Sequence, residues 1–291
     1  MSVLALLETS PAFLVGVVFV LGLLVGSFLN VVIYRLPVMM ERTWQQEARS
    51  LLSLPQEPAA SPFNLATPAS RCPACGHAIR WHENIPVLSW LWLRGRCSSC
   101  STRISVRYPA IELCAGLMAA AAAWHLGYSW WLAGVLIAGW CLLALAMIDF
   151  DTTLLPDDLT YPFLWAGLLL ALLGLSPVSL ADAVIGAMAG YLALWSVYWA
   201  FKLLTGKEGM GYGDFKLLAG LGAWLGWHLL PLVILLSSVV GAVVGTLLMA
   251  TGAVKRDQGI PFGPYLAAAG WIALLWGEHI VSAYLGLFQF P

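Results

Sequence analysis

The chain has 291 residues, of which 60% are hydrophobic and only 10% charged, with a formal net charge of -1. That composition excludes a soluble globular domain and a disordered chain, and it defines an integral membrane protein of helical type. Near-neutrality says little by itself, but the positions of the charges say a great deal.

Once a single long polar insert is set aside, the apolar sequence suffices for about eight spans of roughly 20 residues each. Of the fourteen Lys and Arg residues, nine lie between Arg35 and Arg107, and the others are Lys202, Lys207, Lys216, Lys255 and Arg256. An even number of spans with the amino terminus outside puts all fourteen in the cytoplasm, and the reverse orientation exports them all. The positive-inside rule selects the first arrangement.

The first apolar run, from Ala12 to about Ile33, reads as a retained anchor. It has no basic segment before it, carries Glu8 instead, and is too long for a signal-peptide core. It closes in Gly26-Ser-Phe-Leu-Asn-Val-Val-Ile-Tyr-Arg-Leu-Pro37, where Arg35 is expected to anchor the inner end. Residues 1–34 are thus the first membrane helix, and residues 35–107 a cytoplasmic insert. In the insert, Glu41 to Ser70 is expected to form a short amphipathic helix and then a linker punctuated by Pro55, Pro58, Pro62 and Pro68.

The strongest local signal follows. Cys72-Pro-Ala-Cys75 and Cys97-Ser-Ser-Cys100 are two Cys-x2-Cys pairs separated by 21 residues. Four thiolates complete a tetrahedral zinc site with no open position, which suits a structural metal. Two disulfides are the alternative, disfavoured in a reducing compartment. His77 and His82 are nearby substitutes as ligands, although four cysteines already suffice. Cys114 and Cys141 fall within spans and read as packing residues.

Residues 108–291 hold seven further spans, expected at 109–124, 130–148, 159–175, 183–204, 215–227, 231–250 and 262–276. The fifth is short, and the glycines at 220, 222 and 226 leave its division from the next open. Trp124, His125, Tyr128, Trp130, Trp131 and Trp227 fall at outer ends, as interfacial anchors do. Gly186 with Gly190, and Gly241 with Gly245, have the spacing of close helix contact. Glu112, Asp182 and Glu278 are single acids near span ends.

Two other acids carry the chemistry. Asp149 closes the run Leu142-Leu-Ala-Leu-Ala-Met-Ile148, and Asp214 ends Gly211-Tyr-Gly-Asp214 just before another apolar run. A lone aspartate at a span terminus is commonly a helix-end residue. By the charge map, however, both lie at the cytoplasmic surface, at one depth, although 65 residues apart. A carboxylate pair sharing one proton can activate water with one member while the other serves as acid. Gly211 and Gly213 would let a peptide approach Asp214 closely. Asp149 stands where helix carbonyls disfavour a carboxylate and Asp214 where free amides favour one, so Asp149 is expected to hold the proton and Asp214 to be the base. Asp151 is secondary, and Asp157 or Asp158 after Pro156 is expected to cap the next helix.

Together with Asn84-Ile-Pro-Val-Leu-Ser-Trp-Leu91, Arg94-Gly-Arg-Cys97, Ser105-Val-Arg-Tyr-Pro109 with Glu112, Leu155-Pro-Asp157, Gly211-Tyr-Gly-Asp214-x-Lys216 and Ile260-Pro-Phe-Gly-Pro264, these stretches resemble the type IV prepilin peptidases, the bifunctional leader peptidase/N-methyltransferases of bacterial inner membranes. The resemblance implies an aspartic endopeptidase of the Gly-x-Gly-Asp type. Asp149 and Asp214 would be catalytic, and Gly211, Gly213 and Lys216 would support them. Cys72, Cys75, Cys97 and Cys100 would bind zinc. Gly95 would lie in the segment for methyl transfer from S-adenosylmethionine. The implied substrates are type IV prepilins and type II secretion pseudopilins, with inner-membrane lipid around the protein and no nucleic-acid partner.

An ion-coupled transporter would instead place its acids near the bilayer midplane in repeated halves. A zinc-bearing scaffold would need neither aspartate. No Gly-rich cofactor loop is present, so methyl transfer rests on the resemblance alone.

Overall fold

The computed structural model describes residues 2–55, 62–252 and 260–287. Pro58, Lys255 and Arg256 of the sequence reading lie outside them. Among the described residues every regular element is a helix, and the only strand-like pairings are two isolated bridges. The chain forms two compact units, residues 1–128 and 129–291.

The first unit contains α1 (Val3–Thr9), α2 (Pro11–Leu51), a 3-10 turn (Trp81–Asn84), α3 (Leu88–Trp92) and α4 (Arg107–Leu126). Ser10 caps α2 by accepting from Phe13 N–H, with Pro11 in the first turn, where no amide partner is lost. The helix then runs unbroken for 41 residues, past Pro37, so no separate amphipathic helix follows the anchor. The segment Met39–Ala48 is rich in strong helix formers, which carry the helix past the one hydrogen bond that proline removes. Its buried face recurs at Leu14, Val18, Gly22, Gly26 and Leu29, the helical period. There α4 packs at backbone distance, since a β-carbon on Gly22 would stand 2.7 Å from the Ala115 carbonyl and one on Gly26 2.7 Å from Glu112 Cα.

Two acquaintances of the sequence take unexpected places in this unit. Arg35, expected at the inner surface, is 7% exposed and donates to the carbonyls of Asn64 (2.8 Å) and Pro68 (2.7 Å). It ties the insert to α2. Glu112 is likewise buried and accepts from the N–H of Val87 at 2.7 Å, joining α4 to the insert.

The second unit is a bundle of α5 (Trp130–Thr152), α6 (Asp157–Leu172), α7 (Leu180–Thr205), α8 (Tyr212–Leu225), a 3-10 turn (Trp227–Leu229), α9 (Leu230–Ala250) and α10 (Gly263–Gly286). The boundary left open between Gly220 and Pro231 falls at Gly226, which ends α8 with φ +73°. Helix α8 is the axis of this bundle. Every residue from Leu217 to Leu225 is buried, with α6, α7, α9 and α10 against it. Trp224 stacks on Phe163 and donates its indole N–H to the Phe163 carbonyl at 2.8 Å. Gly186 and Gly190 meet the α8 backbone at Gly222 and Leu218, as their spacing predicts.

Helices thus stand at all eight expected span positions. Six of them are long and apolar enough to cross a membrane. The other two, α6 with 16 residues and α8 with 14, are shorter.

Candidate active site and metal centre

Asp149 lies in the last turn of α5, which runs on to Thr152 and ends with Thr153 in the left-handed region. Asp214 is the third residue of α8, which starts at Tyr212 after Gly211. Both are buried, at 5% and 7% exposure, and Leu155 borders the two segments that carry or hold them, meeting Gly213 beside Asp214 and Gly263 beside Asp149 Oδ2. The residues paired by the sequence argument are therefore brought together at one end of the bundle. A buried carboxylate costs several kcal/mol unless it is compensated, and for two neighbouring ones that cost falls when one of them is protonated.

The surroundings are shaped by Leu155. A β-carbon on Gly213 would stand 2.7 Å from Leu155 Cβ, and one on Gly263 would stand 3.2 Å from Leu155 Cδ2 and 2.7 Å from Asp149 Oδ2. The N–H of Gly263 donates to Asp149 Oδ2 at 2.9 Å. Gly211 differs from these two glycines. Its backbone is ordinary and extended, and the nearest atom to a β-carbon there is Asp214 Oδ2 at 3.9 Å. The Gly211 side of Asp214 thus has room for a side chain that the Gly213 and Gly263 positions lack.

Lys216 does not reach into the pair. Its ammonium donates to both oxygens of Asp157, at 2.7 and 2.9 Å, and lies over the ring of Tyr161. Asp157 is the first helical residue of α6; the cap position itself is Pro156, with no side-chain hydrogen bond.

In the insert, the two Cys-x2-Cys segments form matching knuckles. Bridges between Arg71 and Ala78, and between Arg96 and Arg103, close them. In each, the first cysteine's N–H donates across the knuckle, from Cys72 to His77 and from Cys97 to Thr102, both at 2.9 Å. All four sulfurs lie within 4.8 Å of one another, with Cys72 to Cys100 at 3.8 Å and Cys75 to Cys97 at 4.0 Å. A tetrahedral ion bonded to sulfur at about 2.3 Å has ligand edges of about 3.8 Å, so the donor set fits one metal ion. A disulfide needs about 2.05 Å.

The thiols are not equivalent. Hydrogen bonds from the Thr102 hydroxyl and backbone bring Cys100 down to about 6, and those from the backbone of Cys75 and Ala74 lower Cys72. At Cys75 a backbone hydrogen bond at His77 acts downward, but burial and the thiols of Cys100, Cys72 and Cys97 push it up to about 11. Beside them, the Ser98 hydroxyl and the Arg80 N–H hold Glu83 down to about 2.

Gly95 precedes the second knuckle with φ +65°, a left-handed conformation that favours glycine. A β-carbon there would stand 2.8 Å from the ring of Trp90. Its N–H is spent on the Trp90 carbonyl at 2.8 Å, and its carbonyl accepts from Ile104 at 2.7 Å. Gly95 thus has no spare amide for a methyl donor, and its position shapes the turn.

Six helices long and apolar enough to cross a membrane, two buried carboxylates in the second unit and a four-cysteine centre in the first are the features of a multi-pass membrane protein. Residues 20–126 match the family described as "Bacterial Peptidase A24 N-terminal domain", and residues 136–246 match the "Type IV leader peptidase family". The chain is 60% identical to a protein of Stutzerimonas stutzeri over 96% of both chains, and 59% identical to one of Aeromonas hydrophila over 93% of both. It is 55% identical to one of Pseudomonas aeruginosa over 98% of both. All three are named prepilin leader peptidase/N-methyltransferase. The chain belongs to this family. No solved structure matches it.

Proposed function

We propose that this chain is a bifunctional enzyme of the bacterial inner membrane that cleaves the leader of type IV prepilins and N-methylates the new amino terminus. The observation that carries the peptidase half is the meeting of Asp149 and Asp214, both buried, at the end of α5 and the start of α8. One carboxylate takes a proton from water as the oxygen attacks the scissile carbonyl, and the other supplies the proton that the leaving amine requires. The room at Gly211 is the approach for the peptide, and the space beside Gly213 is filled by Leu155.

Pseudopilins of type II secretion share the substrate chemistry and are included in the reading. The amino terminus is periplasmic, the chain passes through the membrane an even number of times with α6 and α8 packed within the bundle, and the insert of residues 35–107 and both aspartates face the cytoplasm, where a substrate helix held in lipid presents its basic leader. Residues 108–291 carry the peptidase. A reporter fused within residues 40–100 or near Lys207 should therefore remain cytoplasmic, and one fused after Pro291 should be exported.

Cys72, Cys75, Cys97 and Cys100 hold zinc, closed to substrate, so that it organises the insert without taking part in chemistry. S-adenosylmethionine supplies the methyl group. The Gly95 segment serves that transfer through the shape of its turn.

The test is to incubate purified protein with a prepilin, with and without S-adenosylmethionine, and to weigh the new terminus by mass spectrometry. Asp149→Asn and Asp214→Asn should each abolish cleavage while methylation of an already cleaved substrate persists. Cleavage retained in either variant would rule out the pair.

A further inference from the structure

Asp149 takes a hydrogen bond from a residue 114 positions further on, inside the protein. Gly263 is the first residue of α10, and the free amides at the start of that helix can all be accounted for. Pro264 has none, Tyr265 and Leu266 return theirs to the Phe262 carbonyl, and that of Gly263 goes to Asp149 Oδ2. From the other side, the Asp149 carboxylate accepts the Gly263 amide on Oδ2 at 2.9 Å. The approach has no room for a side chain. A β-carbon on Gly263 would fall 2.7 Å from Oδ2, 3.1 Å from Cγ and 3.2 Å from Leu155 Cδ2.

We propose that Gly263 is a positioning residue of the peptidase, holding Oδ2 of Asp149 on its amide and leaving Oδ1 for the shared proton and water. Two features of one residue are required: the amide that holds the carboxylate and the missing side chain that lets it come close. Leu155 completes the mould, because it packs against the Gly263 side of the pair and, through Gly213, against the first turn of α8. The site is then built from three segments, with the start of α10 as the third. This rests on the reading of Asp149 as catalytic.

The experiment compares wild type, Asp149→Asn, Gly263→Ala and the double variant Gly263→Ala with Leu155→Ala, each as purified full-length protein. It follows cleavage of a prepilin peptide across pH, and methyl transfer to a cleaved peptide as the measure of an intact protein. Gly263→Ala should lower kcat by about 10²-fold, the effect of a displacement near 1 Å, with KM within about twofold of wild type. Its pH–rate profile should be displaced along the pH axis, which general loosening would not do, and methyl transfer should be unchanged. Removing Leu155 gives the added methyl room, so the double variant should recover part of the lost kcat. Wild-type kcat and pH profile in Gly263→Ala, with Asp149→Asn inactive, would overturn the role of Gly263. Loss of both activities with no recovery in the double variant would overturn it too. Cleavage by Asp149→Asn would instead overturn the underlying assignment of Asp149.

Discussion

Lys216 holds both oxygens of Asp157, at 2.7 and 2.9 Å, and so pins the second turn of α8 to the first turn of α6. The lysine side chain is 25% exposed and the aspartate 52%, so solvent screens the pair. Its worth to overall stability is about 1 kcal/mol or less. Its position matters more, because Asp214 stands two residues from the lysine.

Lys216→Met should therefore leave the folding of the bundle nearly unchanged and reduce cleavage severalfold, with the larger part in kcat. Thermal unfolding of the purified variant, read beside its cleavage kinetics, checks both halves. A fall in melting temperature large enough to explain the lost activity would assign the pair to stability alone.

The metal centre predicts about one zinc per chain in protein purified without chelator. Any one of Cys72, Cys75, Cys97 or Cys100 changed to Ser should lower that content sharply, because a closed tetrahedral site has no spare ligand. Elemental analysis decides it, and finding the cysteines as disulfides with no metal would refute it.

The inequality of the thiols predicts how metal binding depends on pH. With Cys100 near 6, that sulfur is already a thiolate at neutral pH, while Cys75 near 11 is still protonated. Binding at pH 7 should then release fewer than four protons. As pH falls through about 6, Cys100 becomes protonated as well, so affinity should decline more steeply below that value. Titration calorimetry in buffers of different ionisation enthalpy measures the proton count directly, and release of four protons at pH 7 would refute the prediction.

Gly95→Ala should disturb the second knuckle. A non-glycine residue in the left-handed region costs about 1–2 kcal/mol, and its β-carbon would press on the Trp90 ring, whose indole N–H is fixed on the Ile104 carbonyl at 3.2 Å. Methyl transfer should fall together with zinc content or with protease resistance of the insert, while cleavage is less affected. Lost methyl transfer in a variant with undisturbed metal and insert would place Gly95 against the methyl donor itself.

Much of this architecture was legible because bilayer and metal chemistry leave strong marks on sequence. Apolar runs located the helices, and the two cysteine pairs located a centre whose sulfurs do converge. The common depth of Asp149 and Asp214, the glycines beside Asp214 and the resemblance point to a pair, and both side chains are buried in the second unit. What stayed hidden depends on contacts between distant segments. Arg35 read as a surface anchor because its carbonyl partners, at Asn64 and Pro68, lie across a loop with no periodic pattern. The ends of α5 and α8 by themselves favour a proton on Asp149 and a charge on Asp214. The start of α10 also meets Asp149, so its local field is set by two helix ends of opposite sign. The stretch Ile260–Pro264 contained Gly263, but nothing in its composition says that its amide faces a carboxylate more than a hundred residues earlier.

Helix α8 shares with soluble cores a property that most membrane helices lack: it is wrapped by other helices from Leu217 to Leu225. A helix facing acyl chains has its length matched to them, and it tilts or stretches when they change. At 14 residues, α8 spans only about 21 Å at 1.5 Å per residue, against a hydrocarbon layer of about 30 Å. The buried stretch from Leu217 to Leu225 meets neighbouring helices along its length. The height of Asp214 is accordingly set by protein packing, and protein moved between thin and thick bilayers should keep Asp149 and Asp214 in register even as the outer helices adjust.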